Sequence, residues 1–314
     1  MKVLISDDLA PECADIFKKG GVEVDTKVGL KPEELKAIIG DYDGLVVRSA
    51  TKVTADILSA ADKMKVIGRA GAGVDNIDVK AAAAKGAIVM NTPGGNSVAV
   101  AELTLGMMFA MARSIPQATA STKAGKWEKK KFKGHELTGK TLGIVGYGRI
   151  GHELARRAQG LSMKVIAYDP FVTAERAAAE NVTMMSLDDV VAAADFLSFH
   201  LPLNDSTKHM VNADMITKMK KGAYLINCAR GGVVDEAALA KALQDGHLAG
   251  AALDVFESGD AAQGDNPLLN EPNFICTPHL GASSVEAQEK VALQIAEQMV
   301  DFLVNGNAVN VVKA

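Results

Sequence analysis

Short apolar runs alternate with segments whose apolar residues recur every three to four positions along nearly the whole chain. In the first third, Lys2–Ile5, Val22–Asp25, Leu45–Arg48, Val66–Gly68 and Ile88–Met90 read as strands, with helical patterns at Pro11–Lys18, Pro32–Ile39 and Thr54–Ser59. Short apolar runs without strict alternation suit strands buried on both faces, and their alternation with helices predicts a parallel sheet built from βαβ units. The rhythm pauses at Asn91–Asn96, NTPGGN, a dense cluster of turn residues that reads as a boundary. After a long helical pattern, Val98–Arg113, and a polar lysine-rich stretch, it restarts at Thr141. It then passes through Lys164–Tyr168, Val182–Met185, Asp195–Phe199, Ala223–Asn227, Ala249–Leu253 and Phe274–Cys276. Two doubly wound α/β sheets are therefore expected. The last helical pattern, Ser284–Val304, carries Val291, Ile295, Met299 and Phe302 on one face and needs an apolar partner, which the first sheet would supply. The expected ligand site is the crevice at the carboxyl ends of the strands.

At 314 residues the chain suits two domains. Its hydrophobic share of 48%, charged share of 23% and net charge of −4 describe an ordinary globular protein with no global attraction to nucleic acid or an anionic membrane. An anionic ligand would have to be drawn by a local basic site. Cys13, Cys228 and Cys276 show neither CxxC spacing nor an even framework, which fits a reducing compartment without metal or disulfide. Asp7 and Asp8 interrupt the N-terminal apolar run before it reaches the length of a signal segment. The apolar stretch Leu103–Ala112 falls short of the roughly 20 residues that span a bilayer, and is expected to be buried between domains or between subunits. A cytoplasmic location is expected.

The sharpest chemical signal is Thr141–Gly151, TLGIVGYGRIG. Strand, glycine turn and helix follow in order: Gly146 permits a tight turn, Gly148 lets backbone approach a pyrophosphate, and Gly151 lets helix and strand pack closely. The following strand pattern ends in Asp169, 18 residues past Gly151, where a carboxylate accepts both ribose hydroxyls and repels a 2′-phosphate. NAD is favoured over NADP. The plainer alternative is a glycine-rich turn with a solvated Asp. These features set residues 97–284 as a Rossmann NAD-binding domain inserted in a flavodoxin-like substrate domain made of residues 1–96 and 285–314.

Three downstream segments are polar where strands should end: NCARGG at Asn227–Gly232, AALDVFE at Ala251–Glu257 and TPHLGA at Thr277–Ala282. With VGYGRIG, AGAGVDNID at Ala70–Asp78 and NTPGGNS at Asn91–Ser97, these strings resemble the D-isomer-specific 2-hydroxyacid dehydrogenases over essentially the whole chain. The strings VRSATKVT, IPQATASTKAGKWEKKKF and HLGASSVEAQ resemble the branch of that family that acts on 3-phosphoglycerate. The resemblance implies hydride transfer between NAD and a small anionic 2-hydroxy or 2-oxo acid, phosphorylated if the branch holds. Rival readings are a glyoxylate, hydroxypyruvate or D-lactate enzyme and, in another class, an NAD-sensing corepressor that uses the same scaffold to bind peptides.

Carried over residue by residue, Arg230 would grip the carboxylate and C2 oxygen, a role suited to a planar, permanently charged fork. His279 would take and return the hydroxyl proton. His135, His152, His200, His209 and His247 read as ordinary core or surface residues. The family pairs its histidine with a glutamate, but DVFESGD at Asp254–Asp260 places Gly259 there. Asp260, after a one-residue insertion, or Glu257 would be the replacement, unless neither acts. Asp254 matches the position that binds the nicotinamide carboxamide. Arg149 and Ile150 would lend amides to the pyrophosphate, while Leu201, Cys228, Ala229, Gly281 and Ala282 would line the coenzyme, Cys228 by packing and not as a nucleophile.

For the substrate, Gly71, Ala72 and Gly73 look like a nest of amides, or a mere turn, and Arg48, Ser49, Arg69 and Asn96 are the polar residues aimed at the cleft. Five lysines in Lys126–Lys133 read as solvated surface. Because they flank Trp127 on the loop where the family dimerises, the resemblance also implies a homodimer with a lysine reaching a phosphate in the neighbouring subunit. Longer members of the branch continue past NAVNVV into serine-binding modules; a short form and a cut chain both fit an end at Ala314.

Overall fold

In the computed structural model, residues 1–259 and 265–313 are described, and the chain forms two compact units, Met1–Asn96 with Ala282–Ala314, and Ser97–Gly281. The first unit holds the parallel strands β1 (Lys2–Ile5), β2 (Glu23–Thr26), β3 (Gly44–Val47), β4 (Val66–Arg69) and β5 (Ile88–Met90), in the spatial order β2-β1-β3-β4-β5. This is the flavodoxin-like order, with its switch point between β1 and β3. Strand β3 is buried along its whole length, as a central parallel strand covered on both faces should be. It ends one residue earlier than the apolar run predicts, because the Arg48 amide leaves the ladder and donates to the Asp7 carboxylate at 2.6 Å.

The helix Val285–Asn305 belongs to this unit and buries Val291, Ile295, Met299 and Leu303 against Val3, Ile5, Phe17 and Val46. Phe302 stays only partly buried, since Leu303, one full turn after Met299, falls under the centre of the stripe. The close approach depends on Gly68, where a Cβ would strike the Met299 sulfur and lie 2.7 Å from Ile295.

The second unit is a seven-stranded parallel sheet. Its strands are β6 (Thr141–Val145), β7 (Lys164–Tyr168), β8 (Thr183–Met184), β9 (Phe196–Phe199), β10 (Tyr224–Asn227), β11 (Gly250–Leu253) and β12 (Phe274–Cys276), in the order β12-β11-β10-β9-β6-β7-β8. The order reverses between β6 and β9, whose carboxyl ends therefore flank the crevice where such sheets take ligands. Edge strand β8 is shorter than the Val182–Met185 pattern, having one neighbour only. The helix Ser97–Ala112 packs Val100, Ala101, Met107, Met108 and Met111 into the core of this unit beneath the sheet. Among the described residues no single helix is long and apolar enough to cross a membrane.

Candidate functional site

At the switch point of the second unit, β6 runs into Gly146, which takes φ +97°. A Cβ there would be strained and would strike the His200 carbonyl at the end of β9. Gly148 caps the helix Arg149–Gly160 with no side-chain bond, and a Cβ on it would meet open space. Gly151 sits with the Gly146 carbonyl 2.5 Å from where its Cβ would be, so helix and turn touch backbone to backbone. The first amides of the helix, on Arg149 and Ile150, are thus left for a ligand at the positive end of the dipole. Asp169, after β7, anchors Oδ1 on the Phe171 amide at 2.8 Å, and Oδ2 has no partner among the described residues. An open glycine, free helix amides and a carboxylate beyond the next strand fit the diphosphate and ribose of a dinucleotide. Leu201 packs 3.0 Å from where a Gly146 Cβ would be. The His200 Nδ1 is a buried atom with no partner, while Nε2 pairs with Ser198 Oγ at 3.0 Å; burial pushes the imidazole down to about 4, so it is neutral.

The next constellation lies at the carboxyl ends of three adjacent strands. After β10, the Asn227 side chain accepts from the Ala229 amide at 3.0 Å and donates to the Arg230 carbonyl at 2.9 Å, which fixes the loop that carries Arg230. The guanidinium is half-buried and donates to the Ala229 carbonyl at 2.7 Å. Gly231 is required because the Phe256 carbonyl occupies the space a Cβ would take. After β11 comes Asp254, only 1% exposed. Its Oδ1 accepts from Thr277 Oγ1 at 2.5 Å and Leu280 N at 2.6 Å, and Oδ2 accepts from Gly281 N at 2.7 Å. After β12, His279 takes φ 57° and its amide donates to the Asp254 carbonyl at 2.9 Å. Both carboxylate oxygens of Asp254 thus hold the histidine loop, a duty that the resemblance to the carboxamide position does not foretell.

The His279 side chain is exposed and its ring has no hydrogen-bond partner among the described residues. Glu257, one replacement considered for the family's glutamate, is instead held by His209, whose Nε2 lies 3.0 Å from each carboxylate oxygen. Asp260, the other, lies outside the described residues. Cys228 is buried with Sγ 3.6 Å from the Met107 sulfur, and burial raises its thiol to about 12, so it is protonated at neutral pH. Ala229 is buried beside it, and Gly281 is buried with its amide committed to Asp254, while Ala282 is half-buried.

In the first unit the switch point between β1 and β3 is organised by Asp7, which the pattern of the sequence marks only as a break in an apolar run. Buried to 4% exposure, it accepts from Arg48 N at 2.6 Å, Thr51 N at 3.0 Å and Thr51 Oγ1 at 2.5 Å. Asn76 Nδ2 closes the same loop on the carbonyls of Arg48 and Thr51. Arg48 reaches the Ala282 carbonyl at 3.3 Å, and Ser49 beside it is exposed. The amide nest is smaller than the glycine pattern predicts. Gly71 N donates back to the Arg69 carbonyl at 2.9 Å, which leaves the amides of Ala72 and Gly73 without partners among the described residues. The Arg69 guanidinium curls over Gly71 and donates to the Ala70 carbonyl at 3.1 Å, and Asn96 is half-buried.

Residues 105–281 match the D-isomer specific 2-hydroxyacid dehydrogenase family, NAD binding domain. Over 313 residues and 100% of its length, the chain is 52% identical to D-3-phosphoglycerate dehydrogenase of Homo sapiens, of which it spans 58%. It is 49% identical to the D-3-phosphoglycerate dehydrogenase of Methanocaldococcus jannaschii, spanning 59% of that protein. The fold superposes with a TM-score of 0.84 on the NAD+-bound 3-phosphoglycerate dehydrogenase of Entamoeba histolytica, at 33% identity, covering 100% of this chain and 99% of that one. The chain belongs to the D-isomer specific 2-hydroxyacid dehydrogenase family, and the match to that family's NAD-binding domain falls within its second unit.

Proposed function

We propose that this protein is an NAD-dependent dehydrogenase of a D-2-hydroxy acid, and that the acid is 3-phosphoglycerate, oxidised to 3-phosphohydroxypyruvate. The observation that carries the reading is the row of loops after β10, β11 and β12, in which Asp254 stands between Arg230 and His279 and clamps the imidazole's loop. The identities of 47–52% to D-3-phosphoglycerate dehydrogenases over almost the whole chain support the choice of acid.

Bound NAD would accept the hydride from C2. The chain's own groups do the rest. Arg230 fixes the carboxylate and C2 oxygen of the acid through a bidentate, charge-assisted fork. His279, exposed and with no competing partner among the described residues, takes the hydroxyl proton as the carbonyl forms and returns it in reduction. Gly148, Arg149 and Ile150 would hold the diphosphate, and Asp169 the ribose, which excludes a 2′-phosphate by like charge. On the first unit, Arg48, Ser49, Arg69, Ala72, Gly73 and Asn96 are assigned to binding an anionic group. The same reading takes the protein to be a cytoplasmic homodimer. In its support, all three cysteines are free thiols, and Trp127 stands 87% exposed beside the lysine run.

The test follows NADH absorbance with 3-phosphohydroxypyruvate, glyoxylate and pyruvate side by side. The expected result is a kcat/KM for the phosphorylated acid at least tenfold above the others. Equal or better turnover of glyoxylate or pyruvate refutes the choice of acid, and NADH binding without turnover of any of them refutes the enzyme reading.

A further inference from the structure

The residue between the first two glycines of the turn is Tyr147, and it is tied to a distant corner of the same unit. Its ring is 5% exposed and packs in the core under the sheet, and its hydroxyl donates to Glu180 Oε2 at 2.6 Å. The same oxygen lies 2.7 Å from His152 Nδ1, in the first turns of the helix that follows the glycines. An ionised carboxylate oxygen only accepts, so Nδ1 carries the proton in this pair. The rings of Tyr147 and His152 meet edge to face with centroids 6.5 Å apart. Further along that helix, Gln159 Nε2 donates to the Glu180 carbonyl at 2.7 Å. Glu180 thus receives the turn, the start of the helix and its later part.

We propose that Glu180, acting through Tyr147 and His152, is a positioning residue for the coenzyme, a brace that holds the glycine turn in its binding shape before a dinucleotide arrives. The physical need is plain. Gly146 and Gly148 bring no side chains, so the turn has little of its own to restrict it, and the ordering entropy falls on binding unless something else has already met it. Tyr147 is the one residue between them that has a side chain, and anchoring its hydroxyl fixes the two peptide planes on either side. The ends of the turn are already held by backbone, Gly146 N to the Tyr168 carbonyl at 2.8 Å and His152 N to the Gly148 carbonyl at 2.9 Å, so the brace acts on the span between. Its two donors also keep Glu180 ionised. The Tyr147 hydroxyl, then His152, holds its carboxyl below the usual range, with Arg176 adding a weaker pull.

The inference rests on the dinucleotide reading of this unit and not on the identity of the acid. Its test uses Tyr147→Phe, which keeps the packed ring and removes only the hydroxyl, and Glu180→Gln, with NADH affinity read by fluorescence titration. Hydrogen exchange at the amides of residues 148–151 in the coenzyme-free protein is the second readout. The expected result is a Kd for NADH and a KM for NAD raised fivefold or more in both variants, faster exchange at those amides, and kcat at saturating coenzyme within twofold of the parent. A Kd equal to the parent's in Tyr147→Phe overturns the brace, as does an equal fall in kcat at saturating NAD. A parent protein that binds NADH but turns over no acid refutes the enzyme reading and leaves the brace to be judged by Kd and exchange.

Discussion

Replacing Asp254 by Asn tests whether the histidine loop depends on one buried carboxylate. The carboxylate accepts three bonds, from Thr277 Oγ1, Leu280 N and Gly281 N, at 2.5 to 2.7 Å, in a site 1% exposed. An amide in the same pose keeps one acceptor oxygen and turns an NH2 toward a backbone N–H. One charge-assisted bond is lost, worth roughly 1.5–3 kcal/mol, and a buried donor is left unsatisfied at about 1–3 kcal/mol. The loop escapes the full sum by shifting, and the shift moves His279, whose amide leans on the Asp254 carbonyl. General acid–base catalysis is worth about 10²- to 10⁴-fold, so a displaced imidazole predicts a kcat lower by on the order of 10²-fold. Steady-state kinetics with NADH and the preferred oxo acid measure it. Thr277→Val separates this duty from any contact with coenzyme, because it removes one bond to the carboxylate and leaves Asp254 itself in place. It should lower kcat by a smaller factor while NADH affinity stays the same. If Asp254→Asn keeps kcat within twofold, the clamp does not position the histidine.

Thiol titration with an aromatic disulfide at pH 8 should modify Cys276, which is exposed, and spare Cys13 and Cys228, both pushed up to about 12 by burial, until the protein is unfolded; prompt reaction of either refutes the burial argument. His200 sets a pH dependence. Its imidazole is depressed from 6.5 to about 4 in the folded state, so the unfolded chain binds the extra proton first, and stability present above pH 6.5 is lost as pH falls toward 4. The loss amounts to at most about 3 kcal/mol, and urea unfolding of His200→Gln should show a flatter slope over that window than the parent. Parallel slopes would mean that the imidazole is solvated.

Legible in the chain alone are the two βαβ series, the NTPGGN boundary, the glycine turn with Asp169 beyond it, and the strand-end positions of Arg230 and His279. These are local matters. Period-2 and period-3.6 patterns, turn residues and a dinucleotide turn are all written within stretches of about 30 residues. Which polar groups are already committed emerges only when the chain is folded. Asp254 matches a coenzyme position by resemblance, and only the fold shows that its carboxylate holds a loop 23 residues later. Asp7 looks like the end of an apolar run and organises Arg48 and Thr51 across more than forty residues. Glu257 goes to His209, the Gly71 amide to its own turn, and Tyr147 to Glu180. A carboxylate or hydroxyl has no periodicity to betray its partner, and the partner is set by strands that meet only when the parallel sheet closes. Where backbone and side chains compete for the same few donors, the assembled fold awards them.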